Sequence, residues 1–181
     1  MLKHIIDEEV SLRLFTEDDD EEFYNLLIDS KSHLKKWITW VDSVESKADT
    51  DESLKLRIRG LAENRGYPMW FAIMYKGKIA GTIGFNDIEK INGVGELGYW
   101  LGKDFQRKGI MSRAFKAVID YGFLELGLNR IEAYIAAGNE RSKALPKRFG
   151  FLEEGRIRQA EWLHDHYEDE IIYGLLAADW K

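Results

Sequence analysis

The chain has 181 residues, the size of one domain with a single core, and its 45% apolar and 32% charged residues are a globular balance, not a disordered one. It has no cysteine, which excludes disulfides, thiolate nucleophiles and Cys-based zinc sites and fits a reducing compartment. A formal net charge of −6 argues against binding to nucleic-acid phosphates and permits a cationic acceptor, and no window approaches the roughly 20 apolar residues of a membrane span. Met1 to Glu9 lack the apolar region of a signal peptide, so a cytoplasmic location is expected.

In chain order, Ser11 to Phe15 alternate as a strand does, with Leu12 and Leu14 on one face. Thr16 reads as an N-cap, and the acidic run Glu17 to Glu22 occupies the first turns of a helix, where it opposes the macrodipole. Phe23, Leu26, Leu27 and Ser30 continue that helix, so the run is expected to be a solvated helix start. Leu34 to Val41 is expected to be helical, with Trp37 and Trp40 on one face and packed in the core. Asp42 to Thr50 reads as a loop, and Glu52 to Asn64 as an amphipathic helix through Leu54, Ile58 and Leu61, ended by Gly66-Tyr67-Pro68.

The pattern then changes period. Met69 to Tyr75 and Lys78 to Phe85 flank the hairpin signal Lys76-Gly77, and Asn92-Gly93 leads into a strand from Glu96 to Leu101. Gly109 to Glu125 is predicted helix, Arg130 to Ala136 strand, and Asn139 to Phe149 helix with Gly150 as its left-handed cap. Phe151 to Ala160 and Tyr167 to Leu176 close the chain as a strand pair. The whole reads as one mixed α/β domain spanning residues 1–181.

Between the Glu96–Leu101 strand and the helix lies Gln106-Arg107-Lys108-Gly109-Ile110-Met111-Ser112. A helix start offers unpaired backbone N–H groups and a positive dipole end, a combination that suits an anion. Gly109 admits close backbone approach, Arg107 and Lys108 add cations, and Ser112 adds a hydroxyl. A diphosphate fits these donors; an ordinary capped helix would show the same residues. The Gly-Lys-Ser/Thr ending of a P-loop and the G-x-G-x-x-G of a dinucleotide turn are both missing.

Gln106-x-x-Gly109-x-Met111 resembles the pyrophosphate motif Q/R-x-x-G-x-G/A of the GNAT superfamily of N-acetyltransferases, with Met111 where Gly or Ala is usual. Asn139-Glu140-Arg141-Ser142, running to Arg148-Phe149-Gly150-Phe151, resembles the family's N-x-x-S…G-F block. Gly95 to Leu101 and Ile157 to Leu163 are similar to the Rim-type branch, the ribosomal-protein N-terminal acetyltransferases, and the resemblance covers about Ser11 to Leu176.

The resemblance implies a GNAT fold: a central, mostly antiparallel mixed sheet of about seven strands with helices on both faces. It implies acetyl-CoA as cosubstrate, without a metal, held by residues 106–112, by Asn139 and Ser142, and by backbone of Leu97, Tyr99 and Leu101. It implies Glu161 as general base, with Glu96 as the rival, and Ser142 as the acid at the thioester sulfur. The acceptor would be a protein N-terminus, possibly ribosomal, or a small amine such as a polyamine or aminoglycoside; a silent CoA-binding module is a further alternative. A homo-oligomer, dimer or higher, is implied too, and the Trp37–Trp40 region could line an acceptor cleft.

Pro146 removes a backbone donor inside a helix and frees the Ser142 carbonyl. His164-Asp165-His166 with Glu168 and Asp169 could suggest a metal, but the segment reads as the turn between the last two strands; His4 and His33 suggest no arrangement.

Overall fold

The computed structural model describes residues 3–63 and 68–181, and of residues 60–63 the backbone alone. The Leu61 contact and the helix stop at Gly66-Tyr67 lie outside the described residues. Eight strands pair in the order β1-β2-β3-β4-β5-β6-β8-β7. They are β1 Lys3–Ile5, β2 Val10–Arg13, β3 Trp70–Tyr75, β4 Lys78–Glu89, β5 Val94–Leu101, β6 Arg130–Ala136, β7 Leu152–Leu163 and β8 His166–Leu176. The helices are α1 Asp20–Leu34, α2 Lys47–Glu63, α3 Ile110–Asp120 and α4 Glu140–Arg148. The extra strand is β1, three exposed residues without alternation, which only its pairing to β2 defines.

The chain forms two compact units, Met1–Gly84 with Tyr99–Val118, and Phe85–Gly98 with Ile119–Lys181. In the first, Phe15, Phe23, Leu26, Leu27, Leu54, Met74, Ile79 and Trp100 make a buried cluster. The helix expected over Leu34 to Val41 stops at its first residue. Ile38 turns extended (φ −134°), and a 3-10 turn follows over Thr39–Ser43, so Trp37 and Trp40 share no helical face. Trp40 is 38% exposed, outside the core. The loop expected before α2 is shorter than its polarity suggested. Asp49 accepts from the Glu45 and Ser46 N–H groups at 3.0 and 2.8 Å, and this local capping starts α2 at Lys47.

The acidic run is exposed at Glu17, Asp18 and Glu21, while Asp20 pairs with Lys47, Glu22 accepts from the Ile79 N–H at 2.6 Å, and Asp19 departs furthest. That carboxylate is buried, takes both Arg13 donors at 2.6 and 2.7 Å, and accepts from the Thr16 N–H at 2.8 Å. A side chain expected in solvent thus joins β2 to the start of α1.

In the second unit β5 runs parallel to β6, from Val94↔Arg130 to Glu96↔Glu132, while β6–β8 and β7–β8 are antiparallel. Gly95 is required here, because a Cβ would lie 2.7–2.9 Å from Leu128 and Phe85. The helix expected to run to Glu125 loosens into a π turn over Tyr121–Glu125, whose Gly122 packs on Phe85 and Ile131. α4 ends as expected, with Gly150 at φ +82°.

Candidate active site: an anion loop and a carboxylate row

In the first unit the chain leaves β5 through Gly102, whose N–H donates to Ala80 O at 2.8 Å. A Cβ there would strike Leu26, and the next N–H, of Lys103, donates to the buried Ser30 hydroxyl at 3.0 Å. After a 3-10 turn over Lys103–Phe105, Gln106 is extended, while Arg107 (φ +60°) and Gly109 (φ +68°) adopt left-handed backbone. Left-handed geometry at a non-glycine residue costs energy and concentrates at ligand sites. A Cβ on Gly109 would meet nothing within 4 Å, so the approach to the start of α3 is open.

Arg113, which the sequence reading gave no role, holds this loop from behind. Its guanidinium donates to Lys108 O at 3.1 Å and Gly109 O at 3.4 Å, and to Asp7 Oδ2 at 2.8 Å. The same contact holds the Asp7 carboxyl below the usual range, helped by the N–H groups of Glu9 and Val10. Loop carbonyls are thereby engaged on Arg113, which suits a face left to N–H groups. The Lys108 ammonium lies over the Tyr75 and Phe105 rings at 5.6 and 5.7 Å, and Tyr99 of β5 meets Phe115 of α3 edge-on at 5.2 Å. His33, also given no arrangement, contacts the Gln106 amide. Ile110 is buried, Met111 and Ser112 are half-buried, and Arg107 and Lys108 are exposed. A diphosphate fits this loop: left-handed backbone, an open glycine and a fresh helix start coincide there.

The second unit holds the other candidates. Asn139 caps α4, its Oδ1 accepting the Ser142 N–H at 3.1 Å. The capping therefore uses the Ser142 backbone and not its hydroxyl. Pro146 is buried within α4, and its carbonyl accepts from Phe149 and Phe151 at 3.0 and 3.1 Å, closing the helix end.

Glu161 lies on β7, opposite Glu168 of β8, beyond a register shift between Ile157 and Glu161. The shift is a bulge with Gln159 at φ +51°. Asp169 stabilises it, accepting from the Gln159 N–H at 2.7 Å and Arg156 Nε at 2.5 Å. Because strand side chains alternate, these extra residues decide which way Glu161 points. Burial pushes the Glu161 pKa up, with the Glu170 and Glu168 charges adding to it. Glu170 is raised by burial and then by Glu96, which itself accepts from Asn86 Nδ2 at 2.7 Å. The two rival bases, Glu161 and Glu96, thus belong to one carboxylate row linked through Glu170. Such a row attracts a protonated amine, and burial with neighbouring like charge makes Glu161 and Glu170 weaker acids and so better proton acceptors.

His164 and Asp165 form the β7–β8 turn, as their polarity suggested, and no group of three metal-ligating side chains occurs among the described residues. No described helix is long and apolar enough to cross a membrane.

Residues 9–152 match the family model described as Acetyltransferase (GNAT) domain. The Bacillus subtilis protein YdaF, provisionally named a ribosomal N-acetyltransferase, is 34% identical over 97% of this chain and 96% of its own length. The ribosomal-protein-serine acetyltransferase of Escherichia coli is 32% identical over 94% of each. A solved ribosomal L7/L12 α-N-protein acetyltransferase in complex with coenzyme A superposes with a TM-score of 0.91 at 28% identity, covering 98% of this chain and 99% of that one. With that match over most of its length, the chain belongs to the GNAT family and is an N-acetyltransferase.

Proposed function

We propose that this enzyme transfers the acetyl group of acetyl-CoA directly to the N-terminal α-amine of a ribosomal protein with an L7/L12-type serine start. The Gln159 bulge carries the reading, because it sets Glu161 opposite Glu168 and next in influence to Glu170. Relatives named for ribosomal-protein and ribosomal-serine acetylation support the acceptor class, and that class supports a cytoplasmic site of action. Likeness to relatives over 97% and 94% of this chain supports a single acetyltransferase domain over residues 1–181. Exposed Trp162 and Tyr167 on the last hairpin support a homo-oligomer, dimer or higher.

Acetyl-CoA, when bound, supplies an acetyl thioester. Residues Gln106–Ser112 hold its pyrophosphate through backbone N–H groups; Arg107 and Lys108 add charge. The backbone of Leu97, Tyr99 and Leu101 pairs with its amides as an added strand would, and Asn139 and Ser142 address the pantetheine arm. An α-amine has a pKa of about 7.7–8.0, against about 10.4 for lysine, so its neutral form needs little help. Glu161 takes the amine proton through one water as the C–N bond forms. The C–S bond breaks, and Ser142 relays a proton from solvent water to the sulfur, ending as a neutral hydroxyl. With no cysteine in the chain, no cysteinyl acyl-enzyme enters the scheme.

A mass-spectrometric comparison of N-termini with and without the enzyme tests the acceptor, with a new N-acetylated ribosomal protein expected. Faster turnover of spermidine than of an L7/L12 N-terminal peptide would overturn the acceptor class, and binding of acetyl-CoA without thiol release by any amine would overturn catalysis.

A further inference from the structure

Between the pairs Ile157↔Glu170 and Glu161↔Glu168 lie Arg158, Gln159 and Ala160 on β7, but only Asp169 on β8. An unbroken antiparallel ladder would set Gln159 opposite Glu168 and leave Glu161 opposite His166, at the mouth of the hairpin turn. The two extra residues therefore draw Glu161 back along β8 by about 7 Å, two strand rises.

This placement is held against strain. Gln159 is left-handed (φ +51°), a backbone that a non-glycine residue keeps only under constraint. The constraint is Asp169. Its Oδ1 accepts the Gln159 N–H at 2.7 Å, and its Oδ2 accepts Arg156 Nε at 2.5 Å. Both donors favour the ionised form and hold the Asp169 carboxyl below the usual range. The Asp169 carbonyl also accepts the Ala137 N–H at 2.8 Å, and the Glu168 carboxylate accepts the Gly138 N–H at 3.2 Å. Ala137 and Gly138 lead directly into Asn139, the cap of α4 that receives the Ser142 N–H.

We propose that Asp169 is a positioning residue for acetyl transfer: its carboxylate holds the bulge that places Glu161, and its carbonyl holds the approach to Ser142. Base and acid, on β7 and α4, thereby take their places from one residue of β8, all within the second unit. The inference rests on the roles proposed above for Glu161 and Ser142, but where Glu161 stands can be read without turnover.

Carbon-13 NMR titration of the glutamate carboxyls reads it, with the Glu161 signal assigned by its loss in Glu161→Gln. Burial, then the Glu170 and Glu168 charges that face it, raise the Glu161 pKa in the wild type. Asp169→Ala should move that titration to lower pH, because Glu161 slides away from those charges. The acid limb of kcat/KM should move with it, and kcat should fall about tenfold at unchanged KM for acetyl-CoA, since the base is displaced rather than removed. Asp169→Asn keeps an oxygen for the Gln159 N–H and should retain most of kcat. Gln159→Gly added to Asp169→Ala should restore part of it, because glycine adopts this backbone without strain. Should Asp169→Ala not fold, Asp169→Ser, whose hydroxyl is one bond too short for the Gln159 N–H, takes its place. An unchanged Glu161 titration, a loss in Asp169→Asn as large as in Asp169→Ala, or no rescue by glycine overturns the proposal. A shifted titration beside an unaltered rate in Glu161→Gln would count against Glu161 as the base and leave the placement by Asp169 standing.

Discussion

The loop at the start of α3 and the carboxylate row of β5 and β7–β8 present opposite chemistry by opposite means. The loop offers backbone donors, set by two left-handed residues and by Arg113 drawing carbonyls aside. The row offers side chains whose acidity depends on strand register and on one another. A backbone site tolerates variation in its side chains, which is why Met111 can stand where a small residue is usual. A side-chain site tolerates little, because one residue of slip reverses the face.

The largest effect is expected at Gly109. Gly109→Trp places an indole in open space before the helix at a residue of φ +68°, and CoA affinity should fall at least about 100-fold by calorimetry. Retained affinity would remove the pyrophosphate from this loop.

Glu161→Gln should lower kcat by about 100-fold, the lower end for a lost general base, with CoA affinity unchanged. The ionised carboxylate is the active form, so kcat/KM should fall as pH falls through a pKa held above the usual glutamate range by burial, Glu170 and Glu168. Removing one like charge with Glu170→Gln should move that acid limb to lower pH, leaving the part due to burial. An unaltered rate in Glu161→Gln would dismiss it and favour Glu96.

The smallest effect is expected at Ser142. A thiol leaves as thiolate with a pKa of about 8.5, so Ser142→Ala should cost only a few-fold, about three to ten, in single-turnover acetyl transfer at neutral pH. The Asn139 cap uses the Ser142 N–H, so helix content should be kept. A loss as large as that of Glu161→Gln would mean that the hydroxyl also positions the acceptor.

Much of this was legible in residue order. Gln106-x-x-Gly109 ahead of a helix, Asn139 three residues before Ser142, and Lys76-Gly77 between apolar runs depend on interactions within a few residues, and such local chemistry survives in a linear reading. Trp37–Trp40 misled because periodicity ignores backbone breaks, and Ile38 breaks there. Asp19 misled because its partner, Arg13, reaches it from a different element. Arg113 and His33 sit where no motif marks them; what they do comes from Asp7, the loop carbonyls and Gln106, brought to them by folding.

Sequence by itself determined the alternation of elements, the glycine turn ahead of α3 and the capped α4, because propensity, turn chemistry and capping act over short range. Tertiary structure alone decided that Glu161 stands in a row with Glu168, Glu170 and Glu96, and that Arg57 lies against the Phe23 and Trp70 rings with no carboxylate partner among the described residues. Burial and like-charge proximity set those properties, and both arise only when strands and helices distant in sequence are packed together.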